Sequence, residues 1–355
     1  MSLVLLLGTV NAACIGSGSP PAGPAPLAAE SPGAGTAPSQ VWQAKTGRRL
    51  TGSLVVVDST IYGAGADRKV YAVDLATGRR RWASRLGGII GGGVLVLGDT
   101  VLAATSRPEG RITALSARTG RRLWRARTGP VSAPLSLIAG TLVALTQRGD
   151  VIGMDPGSGR VRWRRKLGPA RIPAVAADSG SMIVATVDSL FRLGAKDGRV
   201  AVRVRSPGAV VSRWLDRPRI LVAGTTDSLV VAVDRATLLP AWQVRLDAPV
   251  LSSPAAAGDT LFAVTRRGTL YRIVGGAAPV AERVVELDWP VTAPVTVLDG
   301  LVLLGGADGT LRALHPDGRE AWRLQLRWPI ELGPHPLADG LLAAGGDGDL
   351  HRYRQ

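Results

Sequence analysis

From about residue 41 onward the chain alternates short apolar runs with turn-forming residues, and the apolar runs are rich in Val, Leu, Ile and Ala. Runs of this length, bounded by Gly, Asp, Ser and Pro, read as β-strands rather than helices, and nowhere does a 3.6-residue period persist. The clearest unit is Val70-Tyr71-Ala72-Val73-Asp74, followed by Leu75-Ala76-Thr77-Gly78, three Arg and Trp82. Ile112-Thr113-Ala114-Leu115 leads in the same way through Thr119-Gly120 to Trp124, and Val151-Ile152-Gly153-Met154-Asp155 leads through Gly159 to Trp163. Val231-Ala232-Val233-Asp234 leads to Trp242, and Leu311-Arg312-Ala313-Leu314 leads through Gly318 to Trp322. Two copies lack the tryptophan: Phe191-Arg192-Leu193 with Asp197-Gly198, and Leu270-Tyr271-Arg272-Ile273 with Gly275-Gly276.

The register survives those gaps. Trp82, Trp124 and Trp163 are 42 and 39 residues apart, Trp163 to Trp242 is 79, and Trp242 to Trp322 is 80, so the last two intervals are double periods. A repeat near 40 residues that divides into four short strands predicts the four-stranded antiparallel blades of a β-propeller. Within a unit, Asp74 is placed to bond backbone amides two residues on, and Gly78 to take the positive φ that closes a hairpin with a bulge. The tryptophan offers a broad apolar face for blade-to-blade packing and an indole N–H that requires an acceptor, which makes Trp42, Trp82, Trp124, Trp163, Trp242 and Trp322 the expected docking residues.

A blade alone leaves one face bare, so the repeats must stack, and ring closure removes the two exposed ends. The final period runs through Leu341–Ala344 and Leu350-His351-Arg352-Tyr353 without reaching a tryptophan strand, whereas Val41-Trp42-Gln43-Ala44 is an isolated strand of that type. The N-terminal strand is therefore expected to complete the last blade. Seven internal periods and this composite one predict an all-β, eight-bladed propeller over residues 41–355, closed on itself and monomeric.

Ahead of the repeats, Leu3–Val10 is a short apolar run followed by Asn11-Ala12-Ala13-Cys14. It is too short to span a bilayer, which takes about 20 apolar residues, but has the length of a signal-peptide core. Residues 1–13 are read as a signal peptide and 14–40, rich in Ser, Pro, Gly and Ala, as a flexible tether. The segment resembles a bacterial lipoprotein signal, which implies lipidation of Cys14; an ordinary cleaved signal with an incidental cysteine is the alternative. Cys14 is the single cysteine, so the chain forms no internal disulfide, Cys-based zinc site or Cys-Cys redox pair.

Charge changes the picture little. The formal net charge is +16, with 43 Lys and Arg against 27 Asp and Glu, which could attract nucleic acid, anionic lipid headgroups or acidic partners; the Arg residues are nevertheless spread along the whole length, as on solvated strand faces and turns. No nucleic-acid partner is expected. His315, His335 and His351 are scattered without metal-ligand or triad spacing. Asp67, Asp227 and Asp308 fall in turns, where Asp has a capping role.

The pattern Ala72-x-Asp74-x-x-Thr77-Gly78-x-x-x-Trp82 resembles the tryptophan-docking repeat of pyrroloquinoline-quinone (PQQ) enzymes and their non-enzymatic relatives, over nearly all of residues 41–355. Within that group, length and plan are similar to the envelope lipoproteins that support outer-membrane β-barrel assembly. The resemblance implies a non-enzymatic scaffold without cofactor, anchored by lipid at the periplasmic face of the outer membrane and binding an envelope protein such as the β-barrel assembly machinery through loops. The alternatives within the same repeat class are a ligand-sensing propeller and a reduced PQQ-dependent dehydrogenase. The enzymes are much longer, bind calcium and carry adjacent cysteines over the quinone, which this chain lacks. Arg213, Trp214, Trp289 and Trp328, in irregular or Trp-Pro connections between blades, are the candidate partner-binding residues; each Trp could instead cover a neighbouring blade. Arg79, Arg80, Arg81, Arg121 and Arg122 begin on the opposite face.

Overall fold

The computed structural model describes residues 36–355 apart from positions 108, 132, 171 and 347 and the side chains of Ser53 and Glu331. The segments expected to be a signal peptide (1–13) and a tether (14–40), with Cys14, lie outside the described residues except for residues 36–40. No helix occurs among the described residues.

Among the described residues, thirty-two strands form eight four-stranded antiparallel sheets. Blades 1 to 7 each consist of four consecutive strands and span residues 50–85, 89–127, 136–166, 175–205, 215–245, 255–286 and 296–325. In each, the first strand is innermost and the fourth outermost, and the innermost strands of blades 6, 7, 8, 1 and 2 touch in turn, as do those of blades 3 and 4. Blade 8 takes its three inner strands from Ile330–Leu337, Gly340–Gly345 and Asp349–Arg354, and its outer strand is Ser39–Lys45 from the other end of the chain. That closing pair is antiparallel from Ser39 opposite Arg354 to Lys45 opposite Asp349, with a bulge between Gln40 and Trp42. The eightfold ring and its closure by the N-terminal strand are as the sequence predicts.

The second and third strands are buried on both faces and run as continuous apolar segments, such as Thr60–Gly65 and Val70–Val73. The outer strands alternate exposed and half-buried positions, as in Arg80–Arg85, because one of their faces meets water. Each apolar cluster lies between two adjoining blades, Leu102, Ile112, Leu142 and Ile152 between blades 2 and 3 for example, so the core is a ring of inter-blade layers and no blade has a core of its own.

Towards the axis the layers narrow. A Cβ on Gly52, where φ is +75°, would lie 2.3 Å from the Gly93 amide nitrogen, and Thr51 Oγ1 donates to the Ile90 carbonyl at 2.9 Å across the same joint. Glycine is required there because two inner strands meet backbone to backbone.

Candidate partner-binding faces

The turns after the first and third strands share one face of the disc, and the turns after the second strand share the other with the blade-to-blade connections. On the first face the Asp-Thr-Gly turn is built as a cap. Asp74 Oδ1 accepts from the Thr77 amide and hydroxyl, both at 2.9 Å, and the Gly78 amide donates to the Asp74 carbonyl at 2.9 Å. The aspartate thus reaches three residues on, one further than the spacing suggests. Arg81 Nη2 bonds Asp74 Oδ2 at 2.6 Å, and these bonds, the Arg81 one foremost, hold the Asp74 carboxyl down at about 2. Asp155 repeats the arrangement with Arg162 and Ser158 and is also held at about 2. Arg81 is therefore committed to its own turn, while Arg79, Arg80, Arg121 and Arg122 are exposed.

The same turn receives the tryptophan of the preceding blade. Nε1 of Trp42, Trp82, Trp124 and Trp163 donates to the carbonyls of Leu75, Ala117, Pro156 and Ala195 at 3.0, 2.7, 3.2 and 2.9 Å. Each indole lies on the turn glycine of the next blade: a Cβ on Gly78, Gly120, Gly159 or Gly198 would come within 2.8, 2.6, 2.4 or 2.4 Å of a neighbouring atom, the indole being among the nearest in every case. The glycine serves two constraints at once, a φ between +64° and +71° and the space for the indole.

One joint departs from this pattern in two coupled ways. Blade 4 carries Val202 in place of tryptophan, and the turn it meets carries Leu238 in place of glycine, fully buried at φ +63° in one cluster with Val202 and Val204. The carbonyl that the indole would use, that of Arg235, is taken by Arg192 Nη2. Leu238 is a docking residue the repeat pattern missed, because its partner had to be absent for it to be there. Trp242 and Trp322 are half-buried and buried respectively, Trp242 packing with Leu246 and Tyr271 and Trp322 with Ala343 and Tyr353.

On the connection face the four candidates separate. Trp214 and Trp289 are 7% and 6% exposed and pack into the layers between blades 4 and 5 and between blades 6 and 7. Arg312 lies over the Trp289 ring at 4.6 Å. They cover neighbouring blades and offer no open surface, since a Trp in a connection shields apolar positions that the short inner strand leaves bare. Trp328, in the connection from blade 7 to blade 8, is 44% exposed with Arg327 over its ring at 5.6 Å. Arg213 is exposed, and its carbonyl accepts from Ser253 Oγ at 3.0 Å.

The turn carboxylates have structural partners. Asp67 accepts from the Lys69 amide and the Tyr71 hydroxyl, Asp227 from the Ala209 amide, and Asp308 from the Thr310 amide and hydroxyl. Among the described residues no three of His, Cys, Asp and Glu converge on a metal-sized site. A cavity of about 220 Å³ opens between the innermost strands of blades 1, 7 and 8, lined by Leu54, Pro294, Pro334 and His335 among others; burial pushes the His335 imidazole below its ordinary value.

Known proteins place this geometry. The crystal structure of BamB from Moraxella catarrhalis matches with a TM-score of 0.75 at 16% identity, over 90% of this chain and 100% of that one. The computationally designed Ika8 protein matches with a TM-score of 0.71 at 14% identity, over 89% of this chain and all of its own. No curated protein matches the chain by sequence. The family model described as outer membrane protein assembly factor BamB matches residues 34–214, 170–272 and 226–351, together nearly the whole described ring. With that match over more than half of its length, the chain belongs to the BamB family of PQQ-like propellers.

Proposed function

We propose that this protein is a non-enzymatic scaffold of the cell envelope which, like BamB, supports the assembly of outer-membrane β-barrel proteins by holding a protein partner against its loops. The observation that carries the reading is the family match along residues 34–351 on a ring whose repeat residues are used for turns and docking. In this reading residues 1–13 are a signal peptide, Cys14 is acylated, residues 14–40 are the tether and the propeller sits at the periplasmic face of the outer membrane. Trp328 with Arg327 is the exposed aromatic and cationic pair best suited to anchor a partner, and Arg213 is the second contact.

The turn carboxylates Asp67, Asp227 and Asp308 are engaged by nearby amides and hydroxyls, which supports the scaffold reading over the enzymatic one. The test is affinity capture of the tagged full-length protein from solubilised envelopes. Recovery of the barrel-assembly machinery is expected, weakened about tenfold or more by Trp328→Ala, as for an interface hot spot. Capture that never returns that machinery refutes the assignment. A thermal shift with PQQ and calcium, together with dye-linked alcohol oxidation, would establish the enzyme instead.

A further inference from the structure

The outer strands of six adjoining blades end in a cation at the same register position. Lys45 of blade 8 stands opposite Asp349, Arg85 of blade 1 opposite Lys69, Arg127 of blade 2 opposite Arg111, Lys166 of blade 3 opposite Asp150, Arg205 of blade 4 opposite Ser189, and Arg245 of blade 5 opposite Leu229. Blades 6 and 7 break the series with Glu286 opposite Thr269 and Gln325 opposite Thr310. All eight residues are exposed. Because the positions are equivalent by register, the six cations lie at one level, along an arc at the rim of the connection face.

The carboxylates near the arc in blades 1 to 3 are already held. Asp67 pairs with Lys69 at 3.4 Å, Asp150 with Arg164 at 3.2 Å, and Glu109 with Arg111 and more distantly, at 4.0 Å, with Arg127. No ion pair among the described residues involves Arg85, Arg205 or Arg245. Inside the arc, on the same face, Arg68 and Arg107 border a cavity of about 580 Å³ together with Pro130 and Ile89, and Ile89 is 43% exposed. Val187, in the blade 4 turn of this face, is 60% exposed.

We propose that this sector of the connection face, blades 8 and 1 to 5, rests on an anionic phospholipid surface. A level arc over six blades is too extended for one small anion and matches a plane that supplies negative charge everywhere. Long Lys and Arg side chains at a rim can turn down towards headgroups while Ile89 and Val187 meet the interface, and Arg68 and Arg107 flank a cleft of a size to take a phosphate headgroup. The inference rests on the fold alone, not on the barrel-assembly reading; Trp328, in the connection from blade 7 to blade 8, borders this sector, and Arg213, in the connection from blade 4 to blade 5, lies within it.

The experiment uses the full chain carrying Cys14→Ser, so that no acyl group contributes, and co-sedimentation with vesicles of phosphatidylcholine with and without phosphatidylglycerol. Binding is expected only with phosphatidylglycerol and is lost at high salt. Each cation near such a surface is worth about fivefold in partitioning, so Arg85→Glu with Arg127→Glu and Lys166→Glu should lower it by ~100-fold or more. Arg79→Glu with Arg121→Glu and Arg160→Glu makes the same charge change in the same three blades on the opposite face and should leave most of the binding. Circular dichroism and tryptophan emission establish folding, and replacing the arc cations by Gln gives a milder variant if the Glu triple misfolds. Equal losses in the two triples, equal binding to pure phosphatidylcholine, or binding to soluble polyglutamate without binding to vesicles would each overturn the proposal, the last assigning the arc to an acidic protein.

Discussion

The joint between blades 4 and 5 allows the docking rule to be tested by exchange. At the joints closed by Trp42, Trp82, Trp124 and Trp163 a glycine of the next blade receives the indole; where Val202 leaves, Leu238 receives it, buried and at φ +63°. Leu238→Gly removes a buried side chain, which costs about 2–5 kcal/mol, partly offset by about 1 kcal/mol from relief of the left-handed backbone, for a net loss of about 3 kcal/mol. Val202→Trp drives an indole into Leu238 and costs about 2 kcal/mol by overpacking. Together the two changes rebuild the geometry of the Trp163–Gly198 joint, although Arg192 already occupies the Arg235 carbonyl that the introduced indole N–H needs. The double variant should therefore lose no more than about 2 kcal/mol, a coupling of about 3 kcal/mol between the sites. Urea unfolding of the four proteins of the cycle, followed by tryptophan emission and circular dichroism, measures it. Additivity within about 0.5 kcal/mol would refute the claim that the two positions act as one docking unit.

Closure and pH give two further tests. Trp42 is half-buried, donates to the Leu75 carbonyl and fixes the closing strand, so Trp42→Ala should cost about 2 kcal/mol. Deleting residues 36–45 uncovers the whole 349–354 edge and should lower the melting temperature further still; an unchanged melting temperature sinks the role assigned to this strand. Asp74 and Asp155 have folded-state pKa values near 2, below the unfolded value of about 3.9, so the stability they contribute is present above pH ~4 and lost as the pH falls towards 2. In acid titrations monitored by circular dichroism, Asp74→Asn with Asp155→Asn should flatten the fall in stability over that window, and an unaltered profile would show that the two turns do not titrate with unfolding.

The sequence alone determined the blade count, the four-strand division and the closure by Trp42, because each of these is carried by a period, and a period survives the loss of single residues such as the tryptophan at position 202. It also determined that Asp74 and Gly78 shape a turn, since capping and positive φ are local demands. It did not show that Gly78, Gly120, Gly159 and Gly198 make room for an indole from the preceding blade, nor that Leu238 replaces one of them, because those contacts join residues about 35 positions apart across a joint that no local pattern describes. Nor could it separate Trp214 and Trp289 from Trp328: all three stand in alike connections, and only packing against neighbouring blades buries two and leaves one open. The six-blade cationic arc was present in the sequence as scattered Arg and Lys, and only the common register of the outer strands, set by ring packing, brings them to one level on one face.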